Sequence, residues 1–343
     1  MLTKATPCVA TTVPVNTTFA RHTQRRHFNK KFENSLIIIT YMASRATTRS
    51  RSHAARAAEP EAAVATGPLG ALSHDELGVI FDGLADPLQP VVAVAFRSTC
   101  KGLRTPLHTG LEVLQDLHGK AKKLCRKMRT SCAKLRDAEE LKYIGLGRLD
   151  SKALTADDIA TLAVLLGKMP RLRRLILSNN KFGPAGAKHL AEGISASSLT
   201  SLRISQNNIG DEGTKALAAA VAANGKFTSL YVGWCCIGDE GAKALGEAIR
   251  ASSSFATLLL SRNNIGDEGV KAIAAGMAAI GSLAELFLTE NKIGDEGANA
   301  IAKAIPTNSS LTTLSLGRNN IGDAAKQSLR DAVRGRQGFD LLC

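Results

Sequence analysis

A fixed period constrains this chain more than any other feature. Apolar residues recur in rows that begin at Leu172, Leu199, Phe227, Phe255, Leu283 and Leu311, with spacings of 27, 28, 28, 28 and 28 residues. Each row places apolar side chains at its first, fourth and sixth positions, as in Leu172, Leu175 and Leu177 or Leu311, Leu314 and Leu316. The ninth position is Asn180, Asn207, Asn263, Asn291 or Asn319, with Cys235 standing there in the third row. A unit this short cannot bury a core alone, so the rows must stack on one another. A degenerate row with Leu141, Ile144 and Leu146 at the first, fourth and sixth places, and Leu149 at the ninth, reads as an atypical first member.

Within a row, the alternating part is too short for a helix and has the period of a strand, so Leu202 and Ile204 are expected to point inward while Arg203 and Ser205 point out. The recurring Asn has a donor and an acceptor for the unpaired backbone of the following turn, an asparagine ladder that Cys235 continues only weakly. The segment IGDEG follows, at Ile209 to Gly213, Ile237 to Gly241, Ile265 to Gly269 and Ile293 to Gly297. Its Asp is expected as the N-cap of a helix and its Glu as a complement to the helix dipole. Apolar residues then come in an i, i+1, i+4, i+5 pattern, as in Ala216, Leu217, Ala220 and Val221. Helices are about 10 Å wide and strands about 4.8 Å apart, so a stack of such units must curve with its strands inside.

The LxxLxLxxN rows resemble the leucine-rich-repeat family, and the 28-residue, helix-bearing unit is most similar to its ribonuclease-inhibitor-like class. The resemblance runs from residue 141 to about 334. It implies an α/β fold, a right-handed solenoid or horseshoe with parallel strands on the concave face and helices on the convex face. The class also serves Ran-type GTPase-activating proteins and NOD-like receptors, so the fold does not set the function.

Strand positions that the core does not need line the concave face such solenoids use for partners. Position five holds Ile176, Arg203, Tyr231, Leu259, Phe287 and Ser315, and position eight holds Asn179, Gln206, Trp234, Arg262, Glu290 and Arg318. Aromatic anchors with arginine neighbours have the composition of a binding hot spot. The expected partner-binding set is therefore Arg203, Tyr231, Trp234, Leu259, Arg262, Phe287, Glu290 and Arg318. The GDEG carboxylates recur once per row on the other side and are read as structural.

Before the array, residues 72–104 resemble an F-box, a helical module that recruits ubiquitin ligases through a Skp-type adaptor. The matching residues are Leu72, Glu76, Leu77, Ile80, Phe81, Leu84, Asp86, Pro87, Cys100, Lys101 and Leu103, while Ser73 stands where that module usually has proline. The resemblance implies adaptor contacts by Leu72, Leu77, Ile80, Phe81, Leu84 and Pro87. From Lys120 to Arg136 there are eight Lys/Arg and no acid, with Leu117, Ala121, Leu124, Met128 and Leu135 on one helical face. That segment is read as a cap over the end of the stack, its charged face turned to water.

The net charge of +14 lies mostly in residues 1–58, with ten Lys/Arg against Glu33 alone. It therefore describes a basic leader, disordered or targeting, and gives little support to nucleic-acid binding by the folded part. Met42 is an alternative start. The organisation expected is a leader over 1–66, a helical F-box-like and capping region over 67–140, and the repeat domain over 141–343. Cys8, Cys100, Cys125, Cys132, Cys235, Cys236 and Cys343 have no metal-ligand spacing, and reduced thiols are expected. His189, the one histidine in the array, takes a slot that is Ala216 or Ala244 elsewhere and is expected to be packed.

No phosphate-cradling GxxxxGK[ST], GxSxG, HExxH or dinucleotide loop occurs. The reading is a non-enzymatic interaction adaptor that binds a protein on its concave face, with a ubiquitin-ligase substrate receptor as its stronger form. A Ran-type GTPase-activating or NOD-like regulator is the alternative. No cofactor, metal, small-molecule substrate or membrane partner is expected, and the location expected is cytoplasmic or nuclear unless the basic N-terminus directs the chain to an organelle.

Overall fold

The computed structural model describes residues 85–91, 93–94, 108–145 and 152–343. Of the adaptor-contact residues that the F-box resemblance implies only Pro87 is among them; Leu72, Leu77, Ile80, Phe81 and Leu84 lie outside the described residues, as do Leu146 and Leu149 of the degenerate row. The chain forms two compact units, Met1–Ala85 with Pro90–Val113, and Asp86–Gln89 with Leu114–Cys343. In the first, the Val94 N–H donates to the Pro90 carbonyl at 3.0 Å in a helical turn, and the first residues of helix α1 (His108–Lys127) follow.

The second unit holds the array. Strands β1 (Glu140–Lys142), β2 (Arg174–Ile176), β3 (Ser201–Arg203), β4 (Ser229–Tyr231), β5 (Thr257–Leu259), β6 (Glu285–Phe287), β7 (Thr313–Ser315) and β8 (Asp340–Leu342) pair in chain order as one parallel eight-stranded sheet. Between them run α3 (Ala156–Leu166), α4 (Gly183–Ser195), α5 (Gly210–Asn224), α6 (Asp239–Ala251), α7 (Asp267–Ile280), α8 (Asp295–Ala304) and α9 (Asp323–Ala332). This is the solenoid the period demands. Register sets the fourth-position leucines side by side, Leu175 on Leu202, Leu230, Leu258, Leu286 and Leu314, and all are fully buried. Burial of each stabilises the fold by about 2 kcal/mol before entropy is counted.

The first row is corrected by the pairing. Leu141 pairs with Leu175 and so occupies the fourth position, three residues from the place its spacing suggested. Tyr143 then takes the sixth position, and Ile144 is 46% exposed instead of buried. The apolar pattern fits two registers; the hydrogen bond from the Tyr143 N–H to the Ile176 carbonyl, at 2.7 Å, belongs to one. At the other end, β8 adds a strand beyond residue 334, with Phe339, Leu341 and Cys343 packed on the core.

The asparagines form the expected inner ladder. Asn263 Nδ2 donates to the Val232 and Leu260 carbonyls at 3.0 and 2.7 Å, and its Oδ1 accepts from the Cys235 and Ile237 N–H groups at 2.9 and 3.1 Å. Asn319 repeats this two rows on, taking the Asn291 and Ile293 N–H groups at 3.1 and 3.2 Å. Asn207 accepts from Asn180 N–H at 3.0 Å, and Asn180 from Leu154 N–H at 2.8 Å. The Cys235 thiol lies 3.5 Å from the Ile204 carbonyl; burial pushes it up to about 11, outweighing backbone hydrogen bonds at Asn207, Gln206 and Ile209 that favour its charged form.

The IGDEG segment behaves differently from the expectation. In the last three of these segments the helix begins at the Asp, which is its first residue, with the preceding glycine as N-cap, while α5 begins at Gly210 with Ile209 as N-cap. Its carboxylate caps the helix of the following row. Asp211 Oδ1 accepts from Gly238 and Gly241 N–H at 2.7 and 3.0 Å, Asp239 from Gly266 and Gly269 at 2.7 and 3.1 Å, and Asp267 from Gly294 and Gly297 at 2.7 and 3.0 Å. A Cβ at Gly241 or Gly269 would stand 2.7 Å from that oxygen, so the second glycine of the motif makes room for the neighbour's carboxylate. The glutamates are exposed and join lysines within a row, as in Lys243–Glu240 at 2.9 Å, and between rows, as in Lys271–Glu296 at 2.6 Å. Exposed pairs of this kind contribute little.

Before β1, Ala121, Leu124 and Cys125 of α1, Met128 just after it and Leu135 of α2 (Cys132–Asp137) are buried in the same core as Leu154, Ile159 and Leu162 of the array. Lys122 and Lys123 face outward. Lys127 pairs with Asp158 of α3. Burial opposes charge on Asp158, but hydrogen bonds from Lys127 and Thr155 outweigh it and hold the carboxyl below its ordinary range. Among the described residues no helix is long and apolar enough to cross a membrane.

Candidate functional site

Each strand is only three residues long, yet the parallel ladder continues past it. The N–H of position eight donates to the carbonyl of position seven in the following row: Asn179 to Ser205 at 2.8 Å, Gln206 to Gly233 at 2.9 Å, Trp234 to Ser261 at 3.1 Å, Arg262 to Thr289 at 2.8 Å and Glu290 to Gly317 at 2.9 Å. All six residues at position eight, none of them glycine, have positive φ, between 55° and 62°. A left-handed residue costs about 1–2 kcal/mol. Here the adjoining bonds of the asparagine ladder offset that cost. The bend turns the ninth side chain into the core and sends the eighth outward, so each row presents one free choice of side chain beside its strand.

Those choices form a connected row. The Arg262 guanidinium lies 4.5 Å over the Trp234 ring and donates to Glu290 Oε1 at 2.9 Å, and Arg318 donates to the same oxygen at 3.0 Å. Trp234 is 51% exposed. At position five, three residues earlier in each row, Arg203 lies 4.2 Å over the Tyr231 ring, and among the described residues no carboxylate pairs with it. Leu259 and Phe287 are half-buried. A Cβ at Gly233 would meet Leu259 Cδ2 at 2.9 Å, so this glycine is what lets Leu259 lie down across the face.

The structure thus brings the eight expected partner-binding residues to one surface and couples six of them in two contact groups. What the sequence did not display is the coupling itself, because residues 28 apart meet only when strands pair in register. Ser315, the last of the position-five series, is buried instead of exposed and shares a hydrogen bond with Thr289 at 2.7 Å.

Two further residues need placing. His189 is corrected: its side chain is 44% exposed, with Nδ1 3.7 Å from Glu192, and it is not packed inside. Pro87 is buried, and its carbonyl lies 2.6 Å from His118 Nδ1. Among the described residues no group of three or more His, Cys, Asp or Glu is placed to hold a metal ion.

A sequence profile described as leucine-rich repeat matches residues 168–191, 195–218, 223–246, 252–274, 282–302 and 307–325. No curated protein sequence matches the chain. Among solved structures it is similar to an internalin from Listeria monocytogenes, with 22% identity over 59% of this chain and a TM-score of 0.39. The match takes in 46% of the internalin, so the chain spans about half of that protein. It is also similar to actin-binding site 2 of leiomodin-1, with 16% identity over 43% of this chain and 86% of that one, at a TM-score of 0.33.

Proposed function

With a leucine-rich-repeat solenoid as the premise, we propose that this protein is a binding module that holds a protein partner on its strand face, centred on Tyr231, Trp234, Leu259 and Phe287. Leucine-rich repeats generally mediate protein–protein interaction. The observation that carries the reading is the pre-ordering of the face. Arg262 is already held by Trp234 and Glu290, and Arg203 by Tyr231, so little rotamer entropy is left to lose on binding. None of these side chains is needed by the core. Aromatic and arginine anchors of this kind commonly contribute about 2–4 kcal/mol each to an interface.

The stronger form of the proposal is a substrate receptor of a ubiquitin ligase. It rests on the F-box-like sequence of residues 72–104 alone. The two forms separate in one experiment, affinity capture by the full chain, by Trp234→Ser with Phe287→Ser, and by a chain lacking residues 72–104. The expected result is a partner lost with the double substitution and kept by a helix-face control, Lys215→Glu with Glu240→Lys. A Skp-type adaptor is lost only with the deletion. Unchanged capture by the double variant overturns the strand-face reading, and absence of adaptor from the intact chain overturns the ubiquitin-ligase form.

A further inference from the structure

Two thiols at the base of a basic cavity serve neither the strand face nor the repeat geometry. Cys125, near the end of α1, and Cys132, the first residue of α2, bring their sulfurs to 3.5 Å, and both are free. The chain between them turns through Arg129 at φ 54°, and the Thr130 N–H closes the turn on the Cys125 carbonyl at 2.8 Å. The pair is therefore held by a hydrogen-bonded turn. A disulfide needs its sulfurs at about 2.05 Å, so roughly 1.5 Å of movement separates the thiols from a bond.

Both sulfurs border a cavity of about 440 Å³, lined otherwise by His118, Lys122, Arg126, Thr130 and Ser131. Among the described residues neither Lys122 nor Arg126 has a carboxylate partner, and no acidic residue occurs from Lys120 to Arg136. The cavity is thus electropositive, which favours an anionic reactant. The two thiols differ in environment. Cys125 is buried, and burial, with the neighbouring Cys132 adding to it, pushes its thiol up to about 12. Cys132 is half-buried and therefore the one that reacts first.

We propose that this cavity is a redox modification site that takes an anionic small-molecule disulfide of the glutathione type and is converted by it to a Cys125–Cys132 disulfide. The Cys132 thiolate attacks one sulfur of the bound disulfide, the S–S bond breaks, and the first small thiolate leaves to be protonated by water. Cys125 then gives its proton to solvent and attacks Cys132 Sγ, forming the internal bond and expelling the second small thiolate. The two protein thiols lose two electrons and two protons, and the small disulfide becomes two thiols. The new bond ties the end of α1 to the start of α2, directly ahead of β1.

The test uses the reduced full chain, treated in parallel with glutathione disulfide and with uncharged hydroxyethyl disulfide, followed by tryptic mapping over time. The expected product is a linked peptide pair holding Cys125 and Cys132, formed about tenfold faster with the anionic reagent. Lys122→Glu with Arg126→Glu removes that preference, and Cys125→Ser accumulates a mixed disulfide on Cys132. Modification of the exposed Cys236 or half-buried Cys343 while Cys125 and Cys132 stay reduced overturns the site. Equal rates with both reagents in the unaltered chain overturn the ligand class. The unaltered chain supplies both decisive readouts, so a variant that folds poorly does not protect the proposal.

Discussion

The first two complete rows and the last four carry the same glycine at the helix entrance but use it in opposite ways. Gly183 and Gly210 sit at φ 59° and 60°, in the left-handed region. Gly238, Gly266, Gly294 and Gly322 are extended, with φ of −102°, −99°, −100° and −76°. The difference lies in the row before. Asp211, Asp239, Asp267 and Asp295 each bond the following row's entrance glycine, whereas Gly210 follows the row of Pro184, which has no carboxylate to offer. A helix entrance in this stack is thus decided by its neighbour as much as by its own sequence.

If the inner ladder holds every row but that of Cys235 and the outer one only the last four, the inner ladder is the more costly to break. Asn263→Ala leaves four bonded backbone groups without their partner, and a loss of about 4 kcal/mol is expected from denaturant unfolding. Asp239→Ala frees the two N–H groups of Gly266 and Gly269 and is expected to lower stability by about 2 kcal/mol, with Asp295→Ala, which has the one partner Gly322, costing about half as much. Equal losses at the two sites would mean that the carboxylate bonds are not what sets the entrance.

The comparison is sharpened by moving the signal. Gly210→Ala is expected to cost about 1 kcal/mol, because alanine resists a φ of 60°. In a Pro184→Asp background the entrance has a cap and is expected to become extended, so the same substitution falls toward zero; a double-mutant cycle reads the coupling. The smallest effect is a gain. Cys235→Asn restores the interrupted ladder, with about 1 kcal/mol of added stability in a thermal melt, and an unchanged midpoint would show that the thiol already serves the turn.

The period, the inward leucines and the asparagine ladder were all legible because they depend on spacing, and spacing is what a sequence displays. Leu175 to Leu314 stand at the fourth position and Asn180 to Asn291 at the ninth, and the structure buries them there, with Asn319 of the last row half-buried. The identities of the strand-face residues were legible for the same reason. Besides the N-cap expected of the IGDEG aspartate, two local readings failed in instructive ways. Leu141, Ile144 and Leu146 satisfied the apolar template in a register three residues from the real one, since a pattern of apolar residues carries no information about which strand pairs with which. His189 matched an alanine slot by alignment, but a half-exposed helix position accepts a larger polar side chain without penalty.

By itself, then, the sequence determined the repeat, the strand-then-helix order of each unit and the identity of the residues on the strand face, because local alternation and side-chain chemistry dictate these. Tertiary structure decided everything that depends on distance between rows. It placed each aspartate on its neighbour's helix, bent position eight so that Trp234, Arg262, Glu290 and Arg318 touch, laid Arg203 on Tyr231, and drew Cys125 to Cys132 across a turn. The physical reason is that hydrogen bonds and ion pairs act over a few ångströms, and only stacking brings residues a full repeat apart within that range.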